Sequence, residues 1–167
     1  MRSAARLHGA LVPCGPGFRG VGWPETPTVR ASALAEFLVD DRIATHLTAA
    51  WVWGAARSPG RPLRVSTKAR RRVTLPATEQ LRVAEARLAP EDSCRLGDFG
   101  VTTPLRTMLD LLHDPEDFGP AELVACRVLS QQVPNGWRSV SEHVTEHRRP
   151  YRRSAELRLA QIRSAAQ

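Results

Sequence analysis

Between Asp41 and Glu79 no acidic residue interrupts Arg42, Arg57, Arg61, Arg64, Lys68, Arg70, Arg71 and Arg72. Cations spaced without carboxylates suit a polyanion, because each neutralised phosphate releases counterions and the gain accumulates. The predicted nucleic-acid contacts are Arg57, Arg61, Arg64, Lys68 and Arg70 to Arg72, engaging phosphate and not base edges. A second cluster, Arg148, Arg149, Arg152 and Arg153, joins them, although Glu142, Glu146 and Glu156 lie nearby. A solvated basic loop that only aids solubility is the competing reading of both runs.

Other groupings offer chemistry by spacing. His143-Val144-Thr145-Glu146-His147 matches H-x-x-E-H, in which two histidines one helical turn apart hold zinc beside a glutamate base. Such a site wants a third protein ligand, and only Glu156 follows, so a polar helix face explains the motif better and a metal-dependent hydrolase stays as the alternative. Gly15 to Gly20 matches G-x-G-x-x-G, but Val21-Gly22-Trp23-Pro24 cannot be the helix a dinucleotide loop must open. A restriction-type nuclease needs a lysine two residues after an acid, and Lys68 follows Ser66. The G-x-S-x-G and Walker A patterns are missing. No catalytic residue, metal or cofactor is expected.

These side chains need a scaffold. Residues 11–30 are dense in Gly and Pro and read as a loop with one or two edge strands, such as Phe18 to Val21. Leu34, Phe37 and Leu38 share a helical face with Ser32 as N-cap and an end near Asp40. Thr45 caps a second helix carrying Leu47, Ala50 and Trp51, stopped by Gly54. Leu63 to Thr67, a segment within residues 80–88, Cys94 to Leu96 and Phe99 to Thr102 read as strands. Thr103 before Pro104 starts a helix, since proline there loses no needed donor, and Leu105, Met108, Leu109 and Leu112 form its apolar stripe. A proline-initiated helix near Pro120 presents Ala121, Val124, Ala125 and Val128, and helices over Val140 to His147, with Ser139 to Glu142 as capping box, and Ser154 to Ala165 close the chain. The expected fold is α+β, a small antiparallel sheet packed by several short amphipathic helices.

At 167 residues the chain fits one ordinary domain, and its 42% hydrophobic and 25% charged residues favour neither disorder nor a fibre. The net charge of +7 is uneven: residues 1–72 and 127–167 are basic, and 73–126 carry ten acids against four bases. No run of eighteen apolar residues occurs and the N-terminus lacks a signal-like core, so no membrane partner is expected. Three widely spaced cysteines without a CxxC pair fit a reducing, cytoplasmic setting.

Residues 44–54 (ATHLTAAWVWG) resemble the S-H-x-T-A-A-x-x-W-G helix, and residues 100–110 (GVTTPLRTMLD) the x-V-T-x-P-x-R-T-x-x-D segment, of AbiEi-family antitoxins from type IV toxin–antitoxin systems. Leu63 to Thr67 with the arginines after it resembles that family's V-H-V-T-V strand and basic turn, and Arg19 to Trp23 its R-G-V-Y strand, with Gly22 where tyrosine is usual. The resemblance implies a core domain linked to antitoxicity, a nucleotidyltransferase toxin as functional partner without required contact, and relatives carrying a promoter-binding winged helix or a C-terminal nuclease. Residues 1–30 are then a possible winged-helix remnant, too short for a complete one, and 31–167 the core, with no room for a nuclease. The motif residues His46, Trp51, Gly54, Thr102, Pro104, Arg106, Thr107 and Asp110 read as structural, with Arg106 and Asp110 pairing at i and i+4. The expected function is a non-enzymatic antitoxin or transcriptional-regulator-like protein binding DNA by phosphate contacts; a protein-interaction module left from a nuclease-fused relative is the further alternative.

Overall fold

The computed structural model describes residues 9–67, 78–116, 118–147 and 149–164. Strands β1 (Leu11–Cys14) and β2 (Gly17–Gly20) form a hairpin, followed by α1 (Pro27–Ala33), β3 (Arg42–Ala44), α2 (His46–Val52), β4 (Leu63–Thr67) and β5 (Leu81–Glu85). A 3₁₀ turn at Pro90–Asp92 leads into the hairpin β6 (Ser93–Leu96) and β7 (Phe99–Thr102). Helices α3 (Pro104–His113), α4 (Pro120–Ser130), α5 (Trp137–Glu146) and α6 (Arg152–Ser164) complete the described chain. The architecture is α+β, as expected. Among the described residues no helix is long and apolar enough to cross a membrane.

The main sheet has the order β5-β4-β3-β7-β6 and is mixed, which corrects the expectation of an antiparallel one. β3 runs antiparallel to β4, and β6 to β7, but β3 pairs parallel with β7 and β4 parallel with β5. Alternating hydrophobicity reports which residues face the core and not which way a strand runs. Residues 68–80 separate β4 from β5, long enough for the crossover of about a dozen residues that a parallel pair needs.

Three helix expectations shift. The first helix is Pro27–Ala33, capped by Thr26, whose Oγ1 accepts from Val29 N at 3.3 Å, with proline in its first turn. The apolar spacing of Leu34 and Leu38 suggests a later start, yet both are buried in the irregular turn after α1. In α4 the buried apolar residues are Ala125, Cys126 and Leu129, whereas Val124 and Val128 are 51% and 40% exposed. Two overlapping stripes at i, i+4 were available, and packing chose the neighbouring one. α5 starts at Trp137, after Gly136 at φ 51°, so Ser139 lies inside the helix and is not its cap.

Thr103 caps α3 and Pro104 opens it, as their types require. α3 is the hub of the helical layer, packing on α2, α4, α5 and α6 with Met108, Leu109, Leu111 and Leu112 all buried. That layer forms one core cluster. A second, built by α1, α2 and the inner strands, includes Cys14 of the N-terminal hairpin and Trp51. Trp53 and Ala56 touch both.

Candidate functional site

The two motif-bearing segments, 44–54 and 100–110, meet in space. Ala44 lies opposite Val101 in the parallel β3–β7 pair, Thr102 Oγ1 donates to Ala44 O at 3.3 Å, and Trp53 Nε1 donates to Thr102 O at 2.8 Å. Thr107 Oγ1 closes the junction, donating to Thr102 O at 3.2 Å and lying 2.7 Å from Thr102 Oγ1. Trp51 is buried with the Arg30 guanidinium 5.4 Å from its ring centre, and Gly54 at φ 80° ends α2. Thr102, Thr107, Trp51 and Gly54 are thus tied into the packing and turns of this junction, and Pro104 opens α3.

His46, Arg106 and Asp110 do more than hold elements together, because they border a cleft of about 1140 Å³ between the α3 polar face, the segment after β5 and the α5–α6 connection. Arg106, Asp110 and His113 recur at i, i+4 and i+7, opposite the apolar stripe. Arg106 Nε donates to Asp110 Oδ1 at 2.7 Å and Nη1 to Asp92 Oδ2 at 2.6 Å, all three side chains being less than one-fifth exposed. Burial drives the Asp110 carboxyl up to about 6 even though Arg106 and Arg149 pull it down. Its Oδ2 is buried without a hydrogen-bond partner among the described residues, and so is His113 Nε2. His113 Nδ1 donates to Leu109 O at 2.8 Å, and burial lowers its imidazole from the ordinary range.

At the far end, Asp114 is buried and takes the Arg64 guanidinium of β4 on Oδ2, while its Oδ1 accepts from Glu116 N at 3.0 Å. Burial alone would raise this carboxyl, but the Glu116 amide and Arg64 hold it below the usual range. His46 Nε2 lies 3.7 Å from Asp114 Oδ2, and its Nδ1 3.0 Å from Thr45 Oγ1. Burial, then the charge of Arg64, lowers the imidazole to about 3, so at neutral pH it is an uncharged neighbour and not an ion-pair partner.

The basic residues separate into three groups. Arg57, Arg61 and Arg153 are exposed. Arg64, Arg149 and Arg152 face carboxylates, correcting the picture of uncompensated cations: Arg64 on Asp114, Arg149 Nη1 at 3.9 Å from Asp110 Oδ1, and Arg152 Nε at 2.8 Å from Glu156 Oε1. Acids of the 73–126 segment neutralise two of them, which linear spacing could not reveal. Lys68, Arg70, Arg71, Arg72 and Arg148 lie outside the described residues. The H-x-x-E-H histidines His143 and His147 stack with ring centres 5.1 Å apart, and His143 Nδ1 donates to Ser139 O. Among the described residues no three His, Cys, Asp or Glu side chains come together as a metal cage.

The sequence reading missed Asp92, His113, Asp114 and Tyr151. His113 and Asp114 were visible as the continuation of the Arg106–Asp110 stripe; Asp92 and Tyr151 reach the cleft only through tertiary packing. Fold and site together define a small α+β chain with a mixed sheet and a polar cleft beside its central helix. Compared with known proteins, the chain matches no family model, no curated protein and no solved structure.

Proposed function

We propose that this chain is a non-enzymatic, cytoplasmic antitoxin- or regulator-type core of the AbiEi kind, contacting nucleic acid through its arginines and paired functionally with a nucleotidyltransferase-type toxin. The observation that carries the reading is the exposure of Arg57 and Arg61 in the turn before β4, inside the stretch free of acidic residues from 42 to 78. Guanidinium groups displayed this way contact phosphates and set position more than sequence. Arg153 adds a third exposed cation.

The test is duplex DNA binding across a salt series. Affinity falls steeply with salt, and Arg57→Ala with Arg61→Ala lowers the log–log slope by about 2, close to one per lost phosphate contact. Binding that ignores salt, or a slope unchanged in the double variant, overturns the proposal.

A further inference from the structure

Five non-glycine residues among those described adopt positive φ: Asp40, Asp41, His46, Asn135 and Tyr151. Asp and Asn visit this region readily and histidine more than most residues, but a bulky tyrosine there is an outlier. His46 at φ 50° and Tyr151 at φ 59° both line the polar cleft. Tyr151 is also 55% exposed, so its ring gains little from burial to offset the strained backbone. Its carbonyl accepts the Ala155 amide at the start of α6, a position that glycine would fill without strain. A strained, exposed aromatic side chain persists where something other than folding uses it.

The cleft supplies the remaining chemistry. Arg87 is exposed at its border and Arg149 is one-quarter exposed, loosely held by Asp110 at 3.9 Å. The Asp110 side chain is nine-tenths buried, and its Oδ2 and His113 Nε2 both lack a partner among the described residues. Because His113 commits its Nδ1 proton to Leu109 O, Nε2 is left as an acceptor. One cleft therefore combines a flat ring, two guanidinium groups besides the committed Arg106 and, in side chains that line it, two buried acceptor atoms without partners among the described residues. Its volume, about 1140 Å³, lies slightly above the roughly 300–1,000 Å³ of small-molecule sites. A simple anion would leave the ring and the acceptors unused, and a metal cation would sit among the guanidinium groups of Arg87, Arg106 and Arg149.

We infer that the cleft holds one unpaired nucleotide, its base stacked on Tyr151, its phosphate on Arg87 and Arg149, and its base-edge N–H groups turned toward Asp110 and His113. The choice of ligand rests on the nucleic-acid reading above; the site itself does not use Arg57 or Arg61.

The test measures binding of the full chain to a labelled single-stranded octanucleotide, to the four nucleoside monophosphates and to a blunt duplex, with Tyr151→Gly and Tyr151→Phe alongside. Tyr151→Gly weakens single-strand or mononucleotide binding about tenfold or more, the scale of one lost base–aromatic stack, while its Tm equals or exceeds that of the parent. Tyr151→Phe binds like the parent, and duplex affinity is the same in all three. Mononucleotide affinity rivalling that of the octanucleotide identifies a free nucleotide as the ligand, and octanucleotide binding alone identifies a base within a strand. Unchanged single-strand and mononucleotide binding in Tyr151→Gly, or a Tm lowered by that change, overturns the inference. Absent duplex binding with Tyr151-dependent single-strand binding removes the phosphate-surface proposal and leaves this one standing; the reverse pattern does the opposite.

Discussion

Replacing Arg106 by methionine keeps most of the side chain's apolar stem and removes the guanidinium that neutralises Asp110 and Asp92. Those carboxylates are 9% and 18% exposed and contact Arg106 at 2.7 and 2.6 Å. Deleting one partner of a buried ion pair costs about 3–5 kcal/mol when the other charge is stranded. Asp110 has an escape. Its carboxyl already sits near 6 against an ordinary 3.8, so the folded state holds the proton more tightly than the unfolded chain. Stability therefore falls as pH rises from 3.8 through 6, by about 3 kcal/mol once the group is ionised. Without Arg106 that window extends upward, and protonation relieves the loss at low pH. Urea unfolding followed by tryptophan fluorescence should show Arg106→Met about 3 kcal/mol below the parent at pH 8 and about 1 kcal/mol below at pH 5. Adding Asp110→Asn should recover more than half of the pH 8 loss, as residues sharing one ion pair are non-additive. An equal loss at both pH values, or a double variant no better than the single, refutes the account of a buried charge cluster.

His46 is depressed to about 3, so below its ordinary 6.5 the unfolded chain takes a proton that the native state refuses, and stability falls with pH. Between pH 7.5 and 5 the parent should lose about 2 kcal/mol more than His46→Asn, whose side chain tolerates the left-handed backbone; equal losses in parallel urea titrations contradict a neutral His46. Gly17→Ala places a Cβ 2.5 Å from the Ala33 carbonyl oxygen, backbone against backbone, and should cost about 1–3 kcal/mol by thermal unfolding. In α4, Leu129→Ala should cost about 2–5 kcal/mol and Val128→Ala under about 1, a contrast that calorimetry resolves and that reverses if the sequence-derived stripe faces the core.

The legible features share a local cause. Thr103-Pro104 starts α3 because a hydroxyl caps orphan amides and proline sacrifices nothing there, and Gly54 stops α2 because it accepts φ 80°. The strands at 63–67 and 99–102, the burial of Met108, Leu109 and Leu112 in α3 and the Arg106–Asp110 pair follow from spacing alone, whereas Leu105 is only half-buried and Leu111 joins the core instead. The same logic applied to Thr26-Pro27 would have found α1; the apolar run just after it drew the boundary too late.

Tertiary structure decided what adjacency in the chain does not encode. Parallel pairing of β3 with β7 joins residues nearly sixty positions apart and brings the two motif segments into contact. Whether Val128 or Leu129 turns inward depends on the shape of the neighbouring helices, since both satisfy a 3.6-residue period. Charge counts along the sequence presented Arg64 and Arg149 as bare cations, and folding placed Asp114 and Asp110 beside them. A carboxylate's worth depends on its distance from a guanidinium and on the water excluded around both, and those quantities exist only once the chain has closed on itself.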